Sequence, residues 1–169
     1  MTAKQQASGR RLAIYLDTTV WNFSFVEDAR RYKKETLEFF EKARRGVYDI
    51  YHSVTLMEEV GRAPEGRRKD VLALLAEIRP QMLPMSTEVE ALANLYLERG
   101  ALPKRSKLDA MHVAHATVHN MDILVSWNFR HLANINRRNR MLAINLEQGY
   151  GKSLDIVTPL EVLGHEDRN

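Results

Sequence analysis

Leu12-Ala13-Ile14-Tyr15-Leu16 is an unbroken apolar run that stops abruptly at Asp17-Thr18-Thr19. A sheet wet on one side would alternate apolar and polar residues. A continuous run instead marks a strand covered on both faces, the condition of a parallel sheet with helices above and below it. Similar short runs recur at 47–51, 123–125 and 154–157, and Met82-Leu83 reads as a minimal strand between Pro80 and Pro84. Apolar residues between these runs repeat at helical spacing: Leu37, Phe40 and Ala43 ahead of Gly46; 53–61 ahead of Pro64; Val71, Leu74, Leu75 and Ile78; Val89, Leu92, Ala93 and Tyr96. Ala110, Val113, Ala114, Thr117 and Met121 give one more helix, with a small-residue face suited to close packing. Residues 134–140 are polar and basic, and Thr158-Pro159-Leu160-Glu161 is a capping box with proline at the first helical position. Strands alternating with helices predict an α/β fold, doubly wound, with helices on both faces of a mostly parallel sheet.

A chain of 169 residues, 44% hydrophobic, supports one well-filled core and is short for two. The expectation is a single domain over 12–163 behind a loose polar tail at 1–11. That tail has no apolar segment of signal-peptide kind, and no later run approaches membrane-spanning length, so a soluble cytoplasmic protein without membrane association is expected. With no cysteine there is no thiolate zinc site and no cysteine nucleophile. A net charge of +3 permits a nucleic-acid partner without demanding one.

In a doubly wound sheet the carboxyl ends of the strands share one rim, where ligand-binding groups collect. Asp17 after the first strand, Asn128 after the 123–125 strand and the helix following the second strand converge there. Each acidic residue also has a plainer role open to it. Asp17 can cap a helix starting at Thr18. Asp109 stands three residues after Ser106 as in a capping box, and Glu58 stands so after Thr55, which leaves Glu59 as the carboxylate free to face the rim. His112, His115 and His119 share one side of their helix, opposite the apolar face, and are expected to be exposed rather than zinc ligands. Lys104, Arg105, Lys107, Arg137, Arg138 and Arg140 fit solvated surface, and Trp127 and Phe129 fit packing.

Taken jointly, Ile14 to Val20, Ser53 with Glu59-Val60, Asp109-Ala110 in an alanine-rich helix, and Leu124 to His131 resemble the ordered motifs of PIN-domain nucleases, over nearly the whole chain. The resemblance implies a PIN α/β/α sandwich in which Asp17, Glu59 and Asp109 hold Mg²⁺ or Mn²⁺ in a ribonuclease site. Where many relatives carry a fourth aspartate this chain has Asn128, which implies one firmly held metal. VapC-type toxins within the family pair with an antitoxin and dimerise, so an antitoxin partner and a homodimer are implied in the same way. The chemistry agrees. Two carboxylates about 4 Å apart repel by roughly 4 kcal/mol at an effective dielectric of 20, so a cation between them is favoured, and oxygen ligands select magnesium or manganese over zinc. Thr18 and Ser126 are placed to hydrogen-bond the carboxylates, and the basic groups Lys104, Arg105, Lys107, Arg137 and Arg138 to guide an RNA backbone. The competing expectation is a non-catalytic RNA- or protein-binding module of the same fold.

Overall fold

The computed structural model describes residues 10–25, 29–128, 132 and 134–166. The apolar runs form five short strands: β1 (Ala13–Leu16), β2 (Asp49–Ser53), β3 (Gln81–Leu83), β4 (Ile123–Val125) and β5 (Asp155–Val157). All pairings are parallel, in the order β3-β2-β1-β4-β5. Every connection must therefore cross back over the sheet, which the helices accomplish: α1 (Thr18–Trp21) and α2 (Ala29–Arg44) after β1, α3 (Val54–Arg62) and α4 (Glu65–Ile78) after β2, α5 (Thr87–Glu98) and α6 (Lys107–Val118) after β3, α7 (Ile135–Glu147) after β4 and α8 (Pro159–Glu166) after β5. This α/β sandwich is the one expected. The second strand begins and ends two residues later than the sequence suggests, and the basic stretch after residue 134 is the start of α7, capped by Asn134 accepting from Arg137 N–H. The tail at 1–9 and the residues 129–131 lie outside the described residues.

Successive residues of β1 point to opposite faces, and both faces are filled. Tyr15, with Leu124 and Ile156, packs under α5, α6 and α7, while Ile14 and Leu16, with Ile50, Val125 and Val157, pack against Trp21, Phe39, Phe40, Leu56 and Val162. The continuous apolar run thus has the cause inferred for it. On α2 the buried stripe runs through Thr36, Phe39, Phe40 and Ala43, and Leu37, expected to be part of it, is exposed. The capping box of α8 forms as read: Thr158 N–H donates to Glu161 Oε2 at 2.8 Å and Glu161 N–H to Thr158 Oγ1 at 3.3 Å. Among the described residues no helix is long and apolar enough to cross a membrane.

Candidate active site

The chain runs outward from β1 to β2 and β3 on one side and to β4 and β5 on the other. Connections leaving β1 and β4 diverge, and a crevice opens at their carboxyl ends, the usual ligand position of such sheets. Asp17 is the first residue after β1, and Ser126, Trp127 and Asn128 are the first three after β4. Strand register alone therefore brings them together, with Asp17 N–H donating to Val125 O at 3.2 Å.

Asp17 is only 1% exposed. Its Oδ1 accepts from Thr19 N–H at 3.0 Å, Thr19 Oγ1 at 2.5 Å and Val20 N–H at 3.4 Å, and its Oδ2 accepts from Ser126 Oγ at 2.5 Å. It is the N-cap of α1. These donors do not cancel the loss of water: burial pushes the Asp17 carboxyl above its ordinary pKa despite the charge of His112 and the hydroxyls of Ser126 and Thr19, and the charge of Asp109 adds to the rise. Ser126 also accepts from Asn128 N–H at 2.9 Å, which ties the turn after β4 to Asp17.

Glu59 reaches the crevice from the second turn of α3, while Glu58 beside it faces solvent. Ser53, not Thr55, is the N-cap of α3, so Glu58 is not part of a capping box with Thr55; Thr55 is buried and bonded to His115 at 3.2 Å. Glu59 Oε2 accepts from Thr18 Oγ1 and from His112 Nε2, the latter at 2.8 Å. Burial alone would raise its pKa, but the His112 hydrogen bond and charge, with the Thr18 hydroxyl, hold it below the usual carboxylate range.

His112 corrects the sequence reading. Helical spacing sets the histidines of α6 on an exposed side, yet His112 and His115 are buried, because α6 is covered all round by α5, α3 and β4 and every residue from Ala110 to Thr117 is buried. His112 Nδ1 lies 2.6 Å from the Tyr15 hydroxyl, which lies 2.7 Å from Ser53 Oγ. Burial would lower the imidazole pKa, but the hydrogen bond and charge of Glu59, reinforced by Asp17 and Asp109, raise it above its ordinary value. His112 thus bridges Glu59, through Nε2, and the Tyr15 hydroxyl, through Nδ1, and its surroundings favour the protonated ring. A signal for it exists in the sequence: His112 follows Asp109 by three residues, which places the two side chains on one face of the helix.

Asp109 stands in the first turn of α6 and accepts from Asn128 Nδ2 at 3.2 Å through its Oδ1. The Ser106 side chain makes no cap hydrogen bond, so the capping box read from Ser106 and Asp109 is not completed from its serine side. Trp127 is a packing residue, stacked on Tyr32 at 4.6 Å with Nε1–H donating to Thr36 Oγ1 at 3.0 Å; Phe129 lies outside the described residues. Among the basic groups, Lys104, Arg105 and Lys107 are exposed around the start of α6. Arg138 is half-buried and donates to Ile156 O at 2.8 Å, a bond that anchors α7 to β5, and Arg137 is half-buried beside it.

Three carboxyl groups meet a single imidazole at the rim, and burial raises the pKa of Asp17 despite the donors around it. That arrangement and the all-oxygen donor set fit a divalent cation. The oxygens of Asp17 are largely occupied and Glu59 is held by His112, and among the described residues no three His, Asp or Glu side chains form a ready metal cage. The fit is therefore to a hydrated Mg²⁺ or Mn²⁺ taken by one or two carboxylates, not to an all-protein shell.

A family model for the PIN domain matches residues 14–138, from β1 into the first turn of α7, well over half of the chain. No curated protein matches it.

Proposed function

The chain belongs to the PIN-domain family, whose members are generally nucleases acting with divalent metal ions, and on that premise we propose that it is a metal-dependent ribonuclease that hydrolyses RNA phosphodiester bonds at the rim between β1 and β4. The observation that carries the proposal is the buried, under-compensated Asp17 beside Glu59, Asp109 and Asn128. Of Asp17, Glu59, Asp109 and the Asn128 amide oxygen, one or two carboxylates would hold a hydrated Mg²⁺ or Mn²⁺ directly and the remaining groups would meet its waters. A divalent cation supplies, when bound, a nucleophilic water at neutral pH and neutralises the non-bridging phosphate oxygens. The protein's own part is orientation. Thr19, Val20 and Ser126 fix the Asp17 carboxylate, while Thr18 and His112 fix that of Glu59 and keep it ionised. Asn128 holds Asp109 without adding a fourth negative charge.

The setting proposed is that of a cytoplasmic homodimer acting as the toxin of a toxin–antitoxin pair, restrained by an antitoxin protein; its support is the likeness of the motif order at Asp17, Glu59, Asp109 and Asn128 to VapC-type toxins. One observation favours a second reading, a non-catalytic RNA- or protein-binding module. Asp17 is spent on capping α1, and among the described residues no three-ligand group stands ready. Incubating the protein with single-stranded RNA in Mn²⁺ and in EDTA separates the two. Cleavage in Mn²⁺ that EDTA stops, and that Asp109→Asn lacks, is the expected result; RNA left intact by a folded wild-type protein sinks the enzyme.

A further inference from the structure

A cavity of about 300 Å³ adjoins the carboxylate rim where α3 gives way to α4. Pro64 forces the residue before it out of helical conformation, so α3 stops at Arg62, Ala63 is extended at ψ 153°, and α4 restarts at Glu65. The break leaves a hollow. One wall is Thr18 and Glu59, so the hollow opens directly onto the proposed site; its floor is apolar, with Val60, Val71 and Leu108, the last of these next to Asp109 in the chain. Arg62 and Arg67 supply its charge.

Arg67 is the informative residue. Its guanidinium carbon sits 5.1 Å from the centre of the Phe25 ring, which fixes the position of the group. Its Nε is buried and, among the described residues, has no hydrogen-bond acceptor. Arg68, one residue on, is by contrast turned back to Gly61 O at 3.5 Å. A buried donor without a partner is unfavourable, so Arg67 is not held here by an internal hydrogen bond at Nε, and the residue lines the cavity. The charge of Arg62 already reaches Glu59 and lowers its pKa, so this arginine projects its field onto the rim.

We propose that this cleft is an RNA subsite seating the nucleotide beside the scissile phosphate, with a phosphate on Arg62 and Arg67 and the base against Val60, Val71 and Leu108. It rests on the ribonuclease reading for its position and extends it to residues that reading does not use. A polyanion approaching a rim with excess negative charge is repelled, and cations on the flank offset that repulsion where the strand must lie. A planar guanidinium matches phosphate oxygens in a way an ammonium does not, and an apolar floor accepts any base by its face.

The test is binding of a fluorescently labelled single-stranded RNA hexamer, in EDTA, across a salt series, with melting curves for each variant. Arg67→Ala is expected to weaken binding by about tenfold and to reduce the salt slope by about one, and Arg62→Ala to act in the same direction. Arg67→Lys is expected to recover most of the salt slope but not the full affinity. If Arg67→Ala lowers the melting temperature, Arg67→Lys and Arg62→Ala decide, and wild-type affinity in both overturns the subsite. Competition by hexaglutamate as strong as by unlabelled RNA also overturns it, in favour of a peptide site. Should wild type fail to cleave RNA in Mn²⁺ while Arg67→Ala still loses RNA affinity, the ribonuclease reading falls and the subsite stands. If wild type cleaves RNA and Arg67→Ala binds the hexamer as wild type does, the subsite falls and the ribonuclease reading stands.

Discussion

Asp17 and Asp122 sit at opposite ends of the same pair of strands and receive opposite treatment. Asp122, just before β4, accepts from Ala13 N–H at 2.7 Å and pairs with Arg10 at 2.5 Å and Lys152 at 2.7 Å. Burial would raise its carboxyl pKa, but the Lys152 contact, the Ala13 amide and Arg10 bring it below the usual range. Asp17, just after β1, has hydroxyls and amides, but the basic group beside it is His112, shared with two other carboxyl groups, and its pKa is raised. A carboxylate that serves architecture is neutralised by its neighbours, whereas one left short of positive charge in a crevice is poised for a cationic ligand.

Exchanging the two aspartates for asparagine should break the comparison most sharply. Asp17→Asn is expected to lower RNA cleavage by about 10²–10³-fold, the scale of losing a group that stabilises developing charge, while its metal-free melting temperature holds or rises because asparagine still caps the helix and carries no buried charge. Asp122→Asn should keep cleavage and lose about 1–2 kcal/mol of stability, from one backbone hydrogen bond and two exposed ion pairs. Equal loss of cleavage in both variants, read with urea melts of each, would show that the two ends of the sheet are not functionally distinct.

His112→Gln addresses why Asp17 is so poorly compensated. It removes the imidazole that holds Glu59, and we expect cleavage to fall roughly 10–100-fold, mainly in kcat, with Mn²⁺ affinity altered as well. A purely architectural histidine would instead lower the melting temperature and leave kcat and metal affinity of the surviving folded protein as they were.

The smallest effect is on the acid limb of stability. Because the folded-state pKa of Asp122 is depressed, its contribution is present above its unfolded value near 3.8 and is lost as pH falls through the folded value. His115, with its pKa lowered to about 4 by burial and by the charges of His112 and His119, works over a higher window: its neutral form is favoured by folding, and stability drains as pH falls from about 6.5 to about 4. Melts of wild type, Asp122→Asn and His115→Gln between pH 7 and 3 should show the His115 difference shrinking first and the Asp122 difference shrinking only near the acid end. A constant offset at all pH values would remove both residues from the acid response.

The histidines of α6 and the two arginines of the flank show where spacing along the chain stops being informative. Apolar periodicity locates α6 correctly through Ala110, Val113, Ala114 and Thr117, but it assumes that a helix has a wet side. α6 has none from Ala110 to Thr117, since α5 lies across the face that a two-layer packing would expose, and the histidines His112 and His115 are buried there with Tyr15, Thr55 and Glu59 as partners. Arg62 and Arg67 look like ordinary solvated charge in a stretch that also holds Arg68 and Lys69. Only the break at Pro64 and the position of Phe25 distinguish Arg67 from Arg68.

What the sequence determined by itself is everything that depends on neighbours along the chain: strands buried on both faces, the parallel α/β class they impose, the cap at Asp17 as one of two open readings, and the closing box at Thr158 and Glu161. These follow from spacing and local hydrogen bonding, which the order of residues encodes directly. Tertiary structure alone decided which charges meet. Tyr15, Ser53, Glu59 and His112 lie far apart in the chain and touch because β1 lies beside β2 and α6 sets His112 against Tyr15, so the raised pKa of His112 and the unrelieved burial of Asp17 belong to the packed rim and to no single segment. The physical reason is that desolvation and Coulomb interaction depend on distance and on the water excluded between groups, and the chain sets neither until it has folded.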